Sequence, residues 1–236
     1  MRPMVSVIVP AWNEVRYLPD LLESLARQTL PVAEVLVADS GSADGTEELV
    51  TAAGFRYLAG PRKGPGEGRN RGAKAARGDI LLFVDADCRP PANLVEAVAA
   101  ALEDPGVIGG ATGFLPEDGN ASERLLFFVA NAYQRAMTIW GFPHNAGFCF
   151  FFRRDAFERL GGIREDMLLN ETHDIALRSR SLGRFVNLPL RVRTSPRRFR
   201  KQGLTGTIVY EYIGSTLVYY ATGRTPAEVF RPEPVR

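Results

Sequence analysis

The first hundred residues alternate short apolar runs with stretches whose apolar positions recur at helical spacing. Val5–Val9, Val35–Val37, Phe55–Leu58 and Ile80–Val84 have the length and the branched or aromatic side chains of buried strands. Between the first two, the stretch 14–25 carries leucines that would share one face of a helix. Strands that alternate with helices at short intervals predict a single α/β domain built on a Rossmann-like, mostly parallel sheet with helices on both faces.

After residue 105 the alternation is looser. The apolar pattern predicts strands at 107–112 and 145–152, and helices at 123–140, 155–160, 172–182 and 204–220. We therefore expect two halves of one domain. Residues 1–105 would form the ligand-binding half, and residues 106–236 would cover it and end in a basic segment and a helix.

Composition narrows the class of protein. The chain has 236 residues, of which 45% are hydrophobic and 24% charged, and its net charge is +2, which is ordinary for a globular protein and does not suggest nucleic acid as a partner. Its two cysteines cannot build a disulfide framework. No apolar stretch reaches the roughly 20 residues of a membrane span, and a cytoplasmic location is the default expectation.

Two carboxylates follow the most apolar of the predicted strands. Asp85 and Asp87 come directly after Ile80–Val84 and would lie on the same face if the strand continued. The carboxyl ends of strands border the ligand crevice in open α/β sheets. Mg²⁺ and Mn²⁺ prefer carboxylate oxygens and often share them with substrate phosphates. The pair therefore indicates a metal–diphosphate site, although both acids could also be turn or capping residues.

Other polar positions are weaker candidates. Asp39 ends a predicted strand and could bind a base or ribose, or simply form a turn. The glycine-rich loop 63–70 contains Arg69, which suits phosphate, but it lacks the ending of a P-loop. Either histidine, His144 or His173, could be a ligand or a base, or be structural.

A basic segment and an apolar stripe lie in the second half. Residues 191–201 contain six cations, and they could clamp a diphosphate, contact anionic lipid or form a solvated loop. The stripe 125–129 with Trp140 and Phe142 is most simply core, and its alternative is peripheral contact with the inner face of a membrane.

Several stretches occur together and in order: Val5–Glu14, Asp39–Thr46, Gly66–Gly72, Gly78–Asp87, Gly161-Gly162 and the helix opening at Glu171 with Arg178 inside it. In this combination the chain resembles the family 2 glycosyltransferases, which are inverting enzymes of the GT-A fold. The resemblance covers residues 4 to about 185. It implies a nucleotide-sugar-binding first half, an acceptor-binding second half, and a UDP- or GDP-linked sugar donor.

The resemblance also implies roles for individual residues. Asp87 would be the direct ligand of Mg²⁺ or Mn²⁺, and Asp85 would hold the ribose or the metal shell. The nucleotide pocket would be edged or contacted by Pro10, Ala11, Asn13, Glu14, Asp39 and Arg69. The family's general base belongs to an acidic pair that here is Glu171-Thr172, so the base is left open between Glu171 and Asp174. Some GT-A enzymes use a late His as an additional metal ligand, but no His follows His173 here. We add the hypothesis that Arg197, Arg198 or Arg200 folds over the diphosphate instead.

The acceptor could be a glycan, a lipid-linked molecule or a small molecule.

Two other functions remain open. One is a non-catalytic sugar-nucleotide-binding or scaffold protein, which Thr172 would favour. The other is a phosphatase whose nucleophile is the first Asp of the Asp85-Ala86-Asp87 motif. Such a motif normally continues with Thr or Val two residues after the second Asp, and this chain has Arg89 there.

Overall fold

The computed structural model describes residues 3–202 and 213–225, and an eight-stranded sheet forms its centre. The strands are β1 (Val5–Ala11), β2 (Glu34–Asp39), β3 (Arg56–Ala59), β4 (Ile80–Val84), β5 (Cys88–Arg89), β6 (Val107–Pro116), β7 (Cys149–Arg153) and β8 (Arg184–Thr194). The helices are α1 (Leu18–Ala26), α2 (Thr46–Ala52), α3 (Pro65–Ala75), α4 (Leu94–Ala101), α5 (Ala121–Ile139), α6 (Arg154–Arg159), α7 (Glu171–Arg178), α8 (Arg197–Gln202) and α9 (Ser215–Thr222), with a 3₁₀ turn at Ser179–Ser181.

The sheet has the strand order β3-β2-β1-β4-β7-β6-β8-β5. The first four strands are parallel, β7 is antiparallel to both of its neighbours, β6 and β8 are parallel, and β5 is antiparallel to β8. The two halves of the chain therefore share one sheet, and they meet where β4 pairs with β7. The carboxyl ends of β1, β2 and β4 lie at the same edge of the sheet.

Strand β4 is buried on both faces, as its continuous apolar run predicts. Leu82 and Val84 pack into the core on one face of the sheet, and Leu81 and Phe83 pack into the core on the other. The Phe83 ring stacks on Phe150 of β7, with centroids 4.7 Å apart. This double burial holds the end of β4, and the acids that follow it, in a fixed position.

Several element boundaries differ from the sequence-based prediction. The first helix begins at Leu18 rather than near Glu14, because the Glu14 carbonyl accepts the backbone N–H groups of Tyr17 and Leu18 in a turn and a proline follows in the first helical turn. Strand β6 extends to Pro116. Residues 145–148 form a loop, and β7 begins only at Cys149.

The last part of the chain differs most from the sequence-based prediction. Strands β5 and β8 were not predicted, and β8 includes part of the segment interpreted as a basic loop. Of the predicted closing helix, positions 204–212 lie outside the described residues, and α9 covers its end. Within residues 3–202 and 213–225, none of the helices combines the length and apolarity that crossing a bilayer requires.

Helix α3 packs closely on β1, so substitution of Gly72 tests this packing. A Cβ atom at Gly72 would overlap the Ile8 side chain. We expect Gly72→Val to lower the free energy of unfolding by about 2 kcal/mol or more, because overpacking forces neighbouring atoms to move. Lys74→Ala, on the exposed side of the same helix, should change it by less than about 0.5 kcal/mol. Urea unfolding measures both, and equal midpoints for Gly72→Val and the unsubstituted protein would contradict the packing.

Candidate active site

A cavity of about 800 Å³ opens at the carboxyl ends of β1 and β4. The first half of the chain lines it with residues 10–12, 14, 40, 62–65, 69 and 85–87. The second half closes it with residues 144–148, 165–166, 168–172, 195 and 197–199. The cavity therefore lies between the two halves of the sheet, where the sequence predicted a ligand crevice.

Arg69 connects the end of β4 to the start of α7. Its guanidinium donates to Asp85 Oδ1 at 2.7 Å and to Glu171 Oε1 at 2.9 Å. Its side chain is only 4% exposed. Burial raises the pKa of Glu171, while the adjacent guanidinium opposes this rise. A buried carboxylate with a raised pKa at the wall of a cavity has the properties of a general base.

A second arginine connects the other acids. Arg197, in α8, donates two hydrogen bonds to Glu14, at 2.6 and 3.0 Å, and its Nε lies 3.1 Å from Asp87 Oδ2. The guanidinium also lies over the Tyr17 ring. The pKa of Glu14 is raised to about 7 and that of Asp87 to about 6; burial is the largest cause, neighbouring acids add to the rise, and Arg197 opposes it. Carboxylates are thus crowded around a single guanidinium.

Two residues that the sequence suggested for the nucleotide make hydrogen bonds with the protein itself, mainly with the loop that follows β2. Asp39 is fully buried, and its oxygens accept hydrogen bonds from the backbone of Gly41, from Ser42 and from the Tyr57 hydroxyl. Asn13 has a left-handed backbone (φ 55°), and its side chain accepts the Ala43 N–H. Neither residue lines the cavity, whereas Pro10, Ala11 and Glu14 do.

The structure separates the candidates for the base. Glu171 lines the cavity, whereas Asp174 accepts hydrogen bonds from Arg178 at 2.7 Å and from the Tyr219 hydroxyl at 3.0 Å and is not part of the lining. Thr172 donates to the backbone carbonyl of Asn145 at 3.3 Å.

The three arginines proposed to contact the diphosphate differ in their position. Arg197 and Arg198 line the cavity, whereas Arg200 pairs with Glu123 outside it.

Some cavity residues were not proposed from the sequence. Trp12 lies on the wall, with the Arg62 guanidinium 3.7 Å from its ring centroid. An aromatic residue directly after an apolar strand could have signalled this position. Asn145 also lines the cavity, and its buried side-chain nitrogen has no hydrogen-bond partner in the structure. No local motif marks it, because its position depends on contacts with α7.

The acids of the cavity fit a divalent cation. Asp85 and Asp87 offer the carboxylate oxygens that Mg²⁺ and Mn²⁺ prefer. The raised pKa of Asp87 indicates that its negative charge lacks full compensation, which a cation would provide. In residues 3–202 and 213–225, no group of three or more His, Cys, Asp or Glu side chains is arranged to hold a metal ion.

Solved structures share the fold. The chain aligns over 96% of its length with 66% of the mannosyltransferase PcManGT of Pyrobaculum calidifontis in complex with GDP-Man and Mn²⁺, at a TM-score of 0.69 and 24% identity. It also aligns over 84% of its length with 62% of a Staphylococcus aureus TarS structure in complex with UDP, at a TM-score of 0.64 and 21% identity. The fold is therefore that of the GT-A glycosyltransferases, as predicted.

The sequence comparison then defines the family. Residues 6–161 match the model for glycosyl transferase family 2, so the chain belongs to this family. It is 31% identical to the glycosyltransferase AglE of Haloferax volcanii over 170 residues, which are 67% of this chain and 55% of AglE. It is 40% identical over 107 residues to TarS of S. aureus, a poly(ribitol-phosphate) β-N-acetylglucosaminyltransferase, covering 42% of this chain and 19% of TarS. The chain thus spans about half or less of these relatives.

The two histidines form a pair beside the cavity, in which His173 is buried and His144 is half-buried. Their ring centroids are 4.5 Å apart, His144 lines the cavity, and both ring nitrogens of His173 are buried without hydrogen-bond partners in the structure. Burial lowers the pKa of His144 to about 3 and that of His173 to about 4. Both rings are therefore neutral at pH 7.

The His173 pKa predicts acid-sensitive stability. An unfolded histidine titrates near pH 6.5, so between about pH 6.5 and 4 the unfolded chain binds a proton that folded His173 does not. The free energy of unfolding therefore falls as the pH falls, by about 2 kcal/mol at pH 5 for this residue. We expect His173→Phe to reduce this loss, and Lys74→Ala to retain it. Urea unfolding at pH 7, 6 and 5 measures the slope, and an unchanged slope in His173→Phe would contradict the assignment.

Proposed function

We propose that this chain transfers a sugar from a nucleoside-diphosphate sugar to an acceptor hydroxyl, with inversion and with Mg²⁺ or Mn²⁺. The observation that carries this proposal is that four of the six carboxylates lining the cavity, those of Glu14, Asp85, Asp87 and Glu171, are held by two arginines, Arg69 and Arg197, near the strand ends. The glycosyltransferase neighbours favour it over the Asp-nucleophile phosphatase.

The first half of the cavity suits the nucleotide. We propose that the base lies along Pro10, Ala11 and Trp12, because an aromatic ring offers a stacking surface. The hydrogen bonds that Asp39 and Asn13 make to the loop after β2 support an indirect role, in which they shape the wall on which Ser40 lies. The complexes of PcManGT with GDP-Man and of TarS with UDP support either a GDP- or a UDP-linked donor.

The diphosphate would lie over the acids that follow β4. Asp87 would hold the cation directly and Asp85 would support it, while Arg197 and Arg198 would approach the phosphate oxygens. A bound Mg²⁺ or Mn²⁺ acts as a Lewis acid that offsets the charge developing on the departing diphosphate. Because Arg197 already binds Asp87 and Glu14, it would have to exchange these carboxylates for phosphate when the donor binds.

Glu171 would take the proton of the acceptor hydroxyl. It faces the cavity, its pKa is raised by burial, and Arg69 fixes one of its oxygens. The hydroxyl would then attack the anomeric carbon on the side opposite the diphosphate. Arg69 is a positioning residue in this scheme, because it orients Glu171 and Asp85 together. The side-chain nitrogen of Asn145, which has no hydrogen-bond partner among the described residues, would donate to an acceptor oxygen.

A carboxamide in place of the proposed base tests the reaction. We expect UDP-GlcNAc or GDP-mannose with Mn²⁺ to raise the melting temperature, because a ligand of the folded state stabilises it. Glu171→Gln should keep this shift but lose donor hydrolysis by about a hundredfold or more, because it cannot accept a proton. Asp174→Asn is the matched control and should retain activity. Loss of hydrolysis in Asp174→Asn alone would move the base to Asp174, and an absence of any shift or hydrolysis with both donors would contradict the function.

The proposed exchange of Arg197 predicts opposite effects on the metal and the donor. Arg197→Gln removes the guanidinium that competes for Asp87, so Mn²⁺ alone should bind about tenfold more tightly. UDP or GDP with Mn²⁺ should bind more weakly, because a phosphate contact is lost. Arg200→Gln, in the same helix but bound to Glu123, should change neither affinity. Titration followed by Mn²⁺ electron paramagnetic resonance and by calorimetry measures both, and parallel changes in Arg197→Gln would contradict the exchange.

A further inference from the structure

Large apolar side chains are concentrated on one surface of the second half. Among the described residues, twelve large hydrophobic side chains are exposed, and ten of them fall within two segments. These are Leu125, Phe128, Val129, Tyr133, Ile139, Trp140, Phe142, Ile213, Leu217 and Tyr220, which we call the apolar surface. Phe128 is 64% exposed and Trp140 is 72% exposed. Exposed apolar patches of this kind usually mark an interaction site.

The geometry of α5 explains why its apolar residues face outward. Phe127 and Gln134 point into the protein, where Phe127 joins the core and Gln134 bonds to the backbone of Thr112. Leu125 and Val129 therefore lie on the opposite side of the helix, and Phe128 lies on its flank. Both sides of α5 are apolar, although only one side packs against the sheet.

The apolar surface continues from α5 to α9 beside the cavity. Tyr133 contacts the His144 ring, with centroids 5.0 Å apart, and His144 contacts His173 at 4.5 Å. His173 in turn contacts Tyr220 of α9 at 5.6 Å. Since His144 also lines the cavity, the surface borders the end of the cavity that is formed by the second half of the chain.

The charged side chains on α5 and against Phe142 are mainly basic. In residues 121–144 the only acid is Glu123, which is buried and paired with Arg200. Asp166 lies near the end of α9 but is paired with Arg164. Residues 175–202 contain nine lysines and arginines and no acid, and four of these cations, Arg178, Arg184, Arg197 and Arg200, are paired with acids. Among these cations, Arg180 lies over the Phe142 ring at 4.7 Å. Arg124 and Arg135 are exposed on α5 itself.

We propose that the apolar surface docks the protein on a bilayer that contains anionic lipid. Apolar side chains flanked by arginines match the boundary between acyl chains and negatively charged headgroups. A second copy of the chain fits less well, because a twofold contact through this surface would bring its own arginines together. Docking would present one end of the cavity to the bilayer surface. The inference goes beyond the proposed reaction, since docking requires neither donor nor metal.

Vesicle binding tests this proposal without catalysis. The protein should sediment with vesicles of phosphatidylcholine and phosphatidylglycerol much more than with phosphatidylcholine alone, and less at high salt. Trp140 emission should shift to shorter wavelength on binding, and Trp140→Phe should lose this shift. Phe128→Asp should weaken binding by about tenfold or more, because it places a charge among the acyl chains. Met4→Asp, at an exposed apolar residue outside the surface, is the matched control and should bind normally.

The outcomes separate docking from its alternatives. Phe128 is largely exposed, so its variant should keep the melting temperature and the donor hydrolysis measured without vesicles. A failure of the unsubstituted protein to bind anionic vesicles would overturn the proposal, as would normal binding by Phe128→Asp. A dimer in light scattering that Phe128→Asp dissociates would assign the surface to a second copy instead. Because hydrolysis is measured separately, failure of docking leaves the proposed reaction unaffected.

Discussion

The Arg69 guanidinium between Asp85 and Glu171 is the interaction on which the rest of the site depends. It joins α3, the end of β4 and the start of α7, and therefore joins the two halves of the sheet across the cavity. Breaking a buried ion pair by removing one partner costs about 3–5 kcal/mol, because a charge is left without compensation. The same guanidinium that holds the fold together at this point also sets the distance between the two sides of the cavity.

Arg197 repeats this arrangement nearer the surface. It binds Glu14 and Asp87, which follow the first and fourth strands, and it comes from a helix near the end of the described chain. The two arginines differ in what surrounds them. Arg69 is held in the interior with the aromatic ring of Phe150 beside it, whereas Arg197 is partly exposed and could change partners with less loss of packing. This difference is why we assign positioning to the first and exchange to the second.

The parallel half of the fold could be predicted from the sequence, because its signals are local. The run Ile80–Val84 is apolar in every position, and both of its faces are buried. Strand β8 could not be predicted in this way. Its exposed positions include Arg184, Arg191 and Arg193, and it forms because β6 and β5 pair with it. Burial patterns therefore identify central strands, while mixed strands depend on partners distant in the chain.

The same contrast between local sequence signals and distant contacts applies to the site. Asp85 and Asp87 were found from their place after a strand, and both line the cavity. The joint contact of Arg197 with Asp87 and Glu14 was not predictable, since Arg197 and Glu14 are 183 positions apart. Asp39 shows the converse, because its turn composition was consistent both with a ligand contact and with a simple turn. In the structure its oxygens are occupied by the following loop and by Tyr57 of β3.

The segment that matches the family ends at residue 161. Glu171, Arg197 and the whole of α9 lie beyond it, while the strand ends that would receive the donor lie within it. Two proteins that match the family over this segment can therefore share the strand ends proposed to bind the donor. They can still differ in the side of the cavity that is formed by residues after 161. Changes in acceptor preference during evolution could be confined to the part of that side around Glu171, without altering the strand ends that would hold the base.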